Sequence, residues 1–559
     1  MRSSAHADGS GPRLNVDCYP VTALPHTSAL FRDYVASAPG PLGDFYSPLR
    51  KGVAWMQADH ASVPLPLVDA KMRAAVVGLL TEQNKRLGAG TETLANLERL
   101  AEGANAVVTG QQVGLFGGPL LTLCKAATAV RRAEDASRAG HPHVPIFWLA
   151  SEDHDLAEVN HAIFPGKAPA SGDDGLCTLR LEMPVHHAVP VGNIPLGAGI
   201  RPLLGELQKL LGDGPAWELL AATYTPEATY AGAFGRLLMH IFARHGLIVM
   251  DASSRAFHAL ARPVLRAAIE QAIPLRTALM ERTRALEAAG YHAQVLVTDS
   301  SSLLFLLDEK TGTRHALKPA SADICAAGNH RYSRADLLAI LDAEPERISP
   351  SALLRPVMQD ALLPTSAYIG GPAEIAYFAQ SQVVYQRILG RVTPVLPRLS
   401  ATLIDREMAR LLVRHGLELT GIFARPEELA QRLAARSLPV EGKLRLAATG
   451  ETLDRELDAL TAWMESLDEG LGRSAQIAAS KMRYQMNRLR RLAAHFELER
   501  EHTLRRHAEK LRQHLFPSGH LQDRVLAGAW FLDRSSEDLA SLLVQHAHGK
   551  CPGHMAIPL

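Results

Sequence analysis

Val107-Val108-Thr109-Gly110-Gln111-Gln112-Val113-Gly114-Leu115-Phe116-Gly117-Gly118-Pro119-Leu120 is the stretch that decides the fold. Residues 104–108 have the apolar character of the tail of a buried strand. A glycine-rich turn follows. Leu121, Cys124, Thr128 and Arg131 are then spaced for one face of a helix over 120–133. Strand, tight turn and helix form the physical recipe for an anion cradle. Glycine lets the backbone approach closely, and free N–H groups at a helix start point at negative charge. The string is neither the dinucleotide pattern G-x-G-x-x-G nor a P-loop with Gly-Lys-Ser/Thr. By mechanics alone it is a phosphate or carboxylate site, or else an ordinary buried βα turn.

Val144-Pro145-Ile146-Phe147-Trp148-Leu149-Ala150 reads as the next strand and ends in Ser151-Glu152-Asp153-His154-Asp155. Ligands of open α/β sheets sit beyond the carboxyl ends of the strands. Two successive strands therefore deliver Gln111 and Gln112, then Glu152 to Asp155, to one edge. Such a βαβ unit prefers a right-handed crossover and a parallel sheet. Leu247 to Asp251 reads as a further buried strand ending in a carboxylate, and 294–298 and 303–307 also read as strands. Helical patterns cover 68–87, 91–102, 231–245 and 256–289. Ser333 is placed to N-cap a short helix, with Asp336 three residues on. Residues around 165–230 and 295–350 read as insertions in an α/β core spanning 14–404.

Beyond residue 405 the character changes. Leu453, Leu457, Leu460, Met464, Leu467 and Leu471 step by alternating fours and threes. Met482, Met486, Leu489, Ala493 and Phe496 repeat the pattern, as do Leu504, Ala508, Leu511 and Leu515. This heptad seam predicts a helical arm over 405–516, antiparallel with itself or a partner chain, and favours a homodimer. The same arm could also close over a ligand. Its arginines, such as Arg488, Arg490 and Arg491, read as a solvated face. Residues 517–559 are expected to pack back on the core, with a final helix pair over 521–546, and 1–13 to form a disordered tail.

A chain of 559 residues exceeds one ordinary core, so two or three domains are expected. With 59 basic and 58 acidic side chains the formal net charge is +1, which supplies no general electrostatic reason to bind nucleic acid or a membrane surface. The five cysteines are scattered without a C-x-x-C, which argues against a structural zinc site or a disulfide framework and suits free thiols in a reducing cytoplasm. No signal peptide and no membrane span are expected.

Several strings resemble the cysteine ligase family of bacillithiol biosynthesis (BshC). They are Thr109-Gly110-Gln111-Gln112-x-Gly114-Leu115-Phe116-x-Gly118-Pro119-Leu120, Glu152-Asp153-His154-Asp155, Asn160-His161, and Leu354-Arg355-Pro356-Val357-x-Gln359-Asp360. Leu363-Pro364-Thr365, Gly370-Gly371-Pro372-x-Glu374-Ile375-Ala376-Tyr377, Pro397-Arg398-Leu399-Ser400-Ala401-Thr402 and Leu521-Gln522-x-Arg524-Val525-Leu526 continue the likeness in order. The resemblance implies a Rossmann-like core of the class I synthetase or nucleotidyltransferase type. It also implies amide formation between the cysteine carboxylate and the amine of glucosaminyl-malate. A carboxylate oxygen is a poor leaving group, so ATP with Mg²⁺ is expected to activate it, as an acyl phosphate or an acyl adenylate. No counterpart of H-I-G-H or K-M-S-K-S is present, which counts against the adenylate route.

Such a site needs phosphate donors, a base for the attacking ammonium and cover for an oxyanion. His154 is the candidate base, with Asp155 and Glu152 as catalytic carboxylates; the bland alternative is a buried His satisfied by Asp153 or Asp155. Gln111, Gln112, Asp153, Asn160, Arg355 and Tyr377 are candidates for substrate binding. Arg355 would be a fork for a malate carboxylate, or else a structural salt bridge. Gly114, Gly117, Gly118, Lys125, Gly370, Gly371 and Glu374 are candidates for nucleotide or phosphate, although Lys125 could equally point to solvent. The E-D-H-D string could hold a substrate ammonium or Mg²⁺, but it assigns no protein metal site. His186-His187 reads as a surface pair. A nucleotidyl or acyl transferase on another small molecule, or a non-catalytic coiled-coil scaffold, are the competing readings.

Overall fold

The computed structural model describes residues 15–37, 40–46, 69–166, 175–183, 188–321, 323–500, 502–535 and 538–559. The 1–13 tail and the His186-His187 pair lie outside them.

Five parallel strands form the central sheet. In spatial order they are Val395–Pro397, Thr365–Gly370, Asn105–Gln111, His143–Leu149 and Ile248–Met250. Numbered along the chain, that order is 5-4-1-2-3, the doubly wound Rossmann arrangement read from its far edge. The order reverses between Asn105–Gln111 and Thr365–Gly370, so a crevice is expected beyond their carboxyl ends. Side chains alternate across the sheet with period two. Phe147, Leu149 and Val249 face a core that includes Leu123, Ala127 and Phe234. Val108, Ile146, Trp148, Met250 and Tyr368 face the opposite core with Leu80, Leu97 and Phe257. Both faces are covered, which is why these strands read as near-continuous apolar runs.

Three smaller groups of strands pair antiparallel. Strands His161–Pro165 and Leu176–Arg180 pair as a hairpin. Ile348–Pro350, Leu304–Leu307 and Arg314–Ala316 form one small sheet, and Lys318–Pro319, Ile324–Ala327 and His330–Ser333 another. Residues 294–298, expected as a strand, take no regular structure: Val295 N–H is held by the Gln380 side chain instead of a neighbouring strand. Ser333 caps the helix Arg334–Ala343 as expected, with Asp336 closing the capping box.

The terminal segment carries helices Gln522–Val525 and Leu539–His546, within the range expected for a helix pair, and adds a strand His554–Pro558 that was not expected. That strand runs parallel to Ala401–Ile404 and antiparallel to Asp17–Tyr19, so both ends of the chain share one sheet. Cys18 and Cys551 are joined there by a disulfide, which corrects the expectation of five free thiols. They are 533 residues apart in sequence, and only the strand pairing brings them together. Cys124, Cys177 and Cys325 are free.

Helices Val440–Leu467 and Glu469–Arg500 form an antiparallel hairpin, tied by Arg483 to Asp454 and Asp458. Leu457, Ala479 and Met486 are buried in it, whereas Leu460, Leu467, Met482, Leu489 and Phe496 of the expected seam stay exposed. Helix His502–Leu515 then returns to the core, burying Leu504, Ala508, Leu511 and Leu515. Among the described residues no helix is long and apolar enough to cross a membrane.

Candidate functional site

A pocket of about 550 Å³ opens at the switch point. Its walls come from the ends of the strands. Gly110 and Gln111 end the first strand and Gln112 follows it; Asp153, Glu158 and His161 follow the second. Tyr368 lies in the fourth strand, Gly371, Glu374 and Tyr377 follow it, and Arg398 follows the fifth. Arg355 enters from the helix Arg355–Leu362, and Arg524 from the C-terminal segment. Because the first strand lies between the second and the fourth, the acidic and cationic groups fall on opposite flanks of it.

The acidic flank is held by one amide. Gln112 Nε2 donates to Asp153 Oδ2 and to Glu158 Oε2, each at 2.7 Å. The amide itself is neutral; Asp153 also accepts from the His154 N–H at 2.8 Å and has the Arg314 charge nearby.

The cationic flank is built around Arg355. Its guanidinium donates to Gln359 Oε1 at 3.1 Å and to the hydroxyls of Tyr368 and Tyr377 at 3.3 and 3.2 Å. It also lies over the rings of Trp148 and Tyr368. Burial opposes its charge, but Tyr368, Tyr377 and Glu374 more than offset this and its pKa is raised. No carboxylate forms a direct ion pair with it among the described residues. Arg398 is paired with the fully buried Asp523 at 2.7 Å. Arg524 is exposed, with no side-chain partner among the described residues.

Lys125 points inward, not to solvent. Nζ donates to Gly110 O and Gln111 Oε1, both at 2.8 Å, and forms an ion pair with Glu374. Burial lowers its pKa and the Glu374 carboxylate resists the shift. Glu374 also accepts from Tyr368 Oη at 2.6 Å and from Gly371 N–H at 2.8 Å. Lys125 and Glu374 are therefore a tie across the pocket floor. Gly371 is the N-cap of helix Pro372–Leu389, which has no side-chain cap from that residue and starts on the pocket wall. Gly370 ends its strand, and a Cβ there would lie 3.2 Å from both Glu374 Cβ and Val395 Cγ2.

The glycine turn is not an open cradle. Gly114 N–H donates to Gln112 O, Gly118 N–H to Leu115 O, and Gly117 N–H to Gly114 O and the Tyr224 hydroxyl. Gly117 and Gly118 have φ of +86° and +66°, and a Cβ on Gly117 would sit 2.8 Å from Leu237. Packing and backbone conformation account for these glycines. Gly114 and Gly118 still line the pocket; Gly117 does not.

The E-D-H-D string splits. Asp153 faces the pocket, but Glu152, His154 and Asp155 are not on its wall. Glu152 Oε1 lies 2.9 Å from Nε2 of the fully buried His258. His154 packs on Phe305, with Nδ1 3.3 Å from Arg314. Burial and the Arg314 charge lower its pKa, which leaves the ring neutral and suited in protonation state, though not in position, to act as a base. Asp155 caps the helix Leu156–Val159. Asn160 lies off the wall and accepts from Arg180 at 2.9 Å. His161, Glu158, Tyr368, Arg398 and Arg524 were not singled out individually from the sequence. Three of them stood inside quoted strings, but nothing local distinguished them from their neighbours.

A doubly wound α/β domain with a bipolar pocket at its switch point, followed by a long helical hairpin, defines a Rossmann-like protein with a coiled-coil appendage. Residues 15–399 match the family model described as bacillithiol biosynthesis BshC, N-terminal Rossmann-like domain, and 401–557 match the BshC C-terminal coiled-coil domain. The chain belongs to the BshC family. It is 43% identical over 545 residues to a protein of Koribacter versatilis, covering 97% of this chain and 99% of the relative. With a Solibacter usitatus protein the identity is 38%, covering 97% and 99%, and with one from Salinibacter ruber it is 32%, covering 93% and 94%. All three carry the name "putative cysteine ligase BshC".

Proposed function

We propose that this chain is a ligase that joins the carboxylate of cysteine to the amine of glucosaminyl-malate. The observation that carries the reading is the separation of charge across the switch point. Substrates bearing both an ammonium and carboxylates suit Asp153 and Glu158 on one flank and Arg355, Arg398 and Arg524 on the other. An ammonium held between two carboxylates is brought within reach of His161, which lines the same flank. Burial and the nearby Arg180 lower the pKa of His161, so at neutral pH the ring is unprotonated and able to take a proton from the attacking amine. Arg355, already held by two hydroxyls, places a fixed positive charge where an oxyanion would develop.

A carboxylate needs activation, and ATP with Mg²⁺ would supply the leaving group. The residues present that fit its phosphates are Arg355, Arg398 and Arg524, which face the same cavity. Among the described residues no cluster of three or more His, Cys, Asp or Glu is placed to hold a metal ion. The exposed apolar side chains of the hairpin support a homodimer in the same reading.

The test is a mass-spectrometric assay of the full chain with ATP, Mg²⁺, cysteine and glucosaminyl-malate. The cysteinyl amide is expected, and Arg355→Gln should lower kcat/KM by about 100-fold or more. Release of ADP or AMP would identify the mode of activation. Absence of the amide under conditions where nucleotide binding is measured would refute the ligase reading.

A further inference from the structure

A second large cavity lies away from the sheet edge. Its volume is about 500 Å³, and it shares no lining residue with the first. Its floor is aliphatic: Leu279, Leu303, Leu304, Leu317, Leu337 and Leu353 are each at most 8% exposed, yet they line an open void. Large apolar side chains are also left in water around it. Apart from Val16, the exposed ones among the described residues before 405 are Ile273, Leu296 and Ile324, at 43%, 83% and 36%. Ile273 and Leu296 line the cavity; Ile324 does not. Exposed apolar groups gathered at one concavity mark a ligand site more than scattered ones do.

The charges around it are unbalanced. Arg334 is paired with Asp323 at 2.8 Å, whereas Glu270 is only within 4.0 Å of Arg266, which is itself paired with Asp342 at 2.6 Å. The Arg276 and Lys318 side chains, which also line the cavity, have neither an ion-pair nor a hydrogen-bond partner among the described residues. An aliphatic void whose edge carries two unpaired cations against one weakly paired carboxylate keeps a net positive charge, which favours a molecule that is apolar over most of its surface and negative at one end.

We propose that this cavity is a second binding site, for a small organic acid with a compact apolar body and a single anionic group. Cys325 lines it, is half-buried and carries a free thiol, so its accessibility reports occupancy without reference to any activity. Cys124 is buried and Cys18 and Cys551 are bonded to each other, so in a full-length Cys177→Ser chain Cys325 is the one free thiol that is not fully buried.

The experiment measures the rate of Cys325 modification by a maleimide dye in the presence of 4-phenylbutyrate or 4-phenylbutylamine, which share a body and differ in charge. The acid should slow labelling saturably, and the amine should protect far more weakly. Arg276→Gln combined with Lys318→Gln should raise the half-protecting concentration of the acid by about tenfold or more. Arg355→Gln, in the first pocket, should leave protection intact. Labelling unaffected by the acid up to its solubility limit would overturn the proposal. So would equal protection by the amine, or loss of protection on Arg355→Gln. The acid-versus-amine comparison needs no variant at the cavity itself, and circular dichroism checks that the substituted chains are folded.

Discussion

Glu152 and His258 show how a residue that reads as catalytic can serve stability. Glu152 stands in a string of four polar residues at a strand end, yet the fold turns it onto a buried imidazole on helix Arg255–Glu270. Burial alone would depress the His258 pKa, but the Glu152 carboxylate and two backbone carbonyls outweigh it and raise the value. A raised folded pKa means that the native state binds the proton more tightly. The contribution is fully present below the unfolded value of about 6.5 and is lost as pH rises through the folded one. Glu152→Gln should therefore cost about 1.5–3 kcal/mol near pH 6 and much less at alkaline pH, as read from urea unfolding. An equal loss at both pH values would contradict the ion pair. His554 tilts the curve the other way. Buried between Ser400 and Thr402, it is pushed down to about 4, chiefly by desolvation. Its neutral form stabilises the fold above about pH 6.5, and this is lost as pH falls toward the folded value. Replacing His554 by Asn should flatten the acid limb of the stability profile; an unchanged limb would exclude it as the group responsible.

At the scale of elements, the helical hairpin is the part with the most unfinished packing. Gly450, Leu457, Gly472, Ala479 and Met486 are buried between its two helices, whereas Leu460, Trp463, Leu467, Leu489, Leu492 and Phe496 are all more than half exposed. A helix pair with that much apolar surface in water would gain stability from a second copy, as the proposed dimer requires. Sedimentation of the full chain should give the mass of two chains. Trp463→Glu with Leu467→Glu should give one, with helix content retained. A wild-type monomer at micromolar concentration would remove the dimer from the proposed function. The glycine turn belongs to this scale as well. It was legible as strand, turn and helix, but its N–H groups are taken by carbonyls of the turn itself and, at Gly117, also by Tyr224, more than a hundred residues away.

Across the whole molecule, the pocket needs segments from nearly the full length of the chain. Arg398 is held by Asp523, and the loop beside it by Ser400, which contacts both Asp523 and His554. The last strand carrying His554 is in turn paired with the first strand and stapled to it through Cys18–Cys551. Removing the staple should destabilise the native state by about 2–4 kcal/mol. Cys18→Ser and Cys551→Ser should lower the thermal midpoint equally, the double variant should add nothing, and reductant should bring the wild type to the same value. Midpoints that differ between the single variants, or a wild type indifferent to reductant, would show that the bridge is not what closes the two ends.

The sequence by itself determined the local matters. Apolar runs ending in Gly-Gln-Gln and Glu-Asp-His-Asp announced parallel strands and the edge where ligands gather. Stepping leucines announced the helical arm, and Ser333 with Asp336 announced a helix start. These follow from periods of 2 and 3.6 residues, which a short window contains. The tertiary structure alone decided which groups at that edge face the pocket. Strand order placed acids and arginines on opposite flanks, Gln112 gathered Asp153 and Glu158, and His258 drew Glu152 away. It also decided that residues 18 and 551 meet and that half of the heptad seam is left bare. Each of these depends on contacts between segments far apart in sequence, and composition and periodicity carry no record of which distant segment a side chain will face.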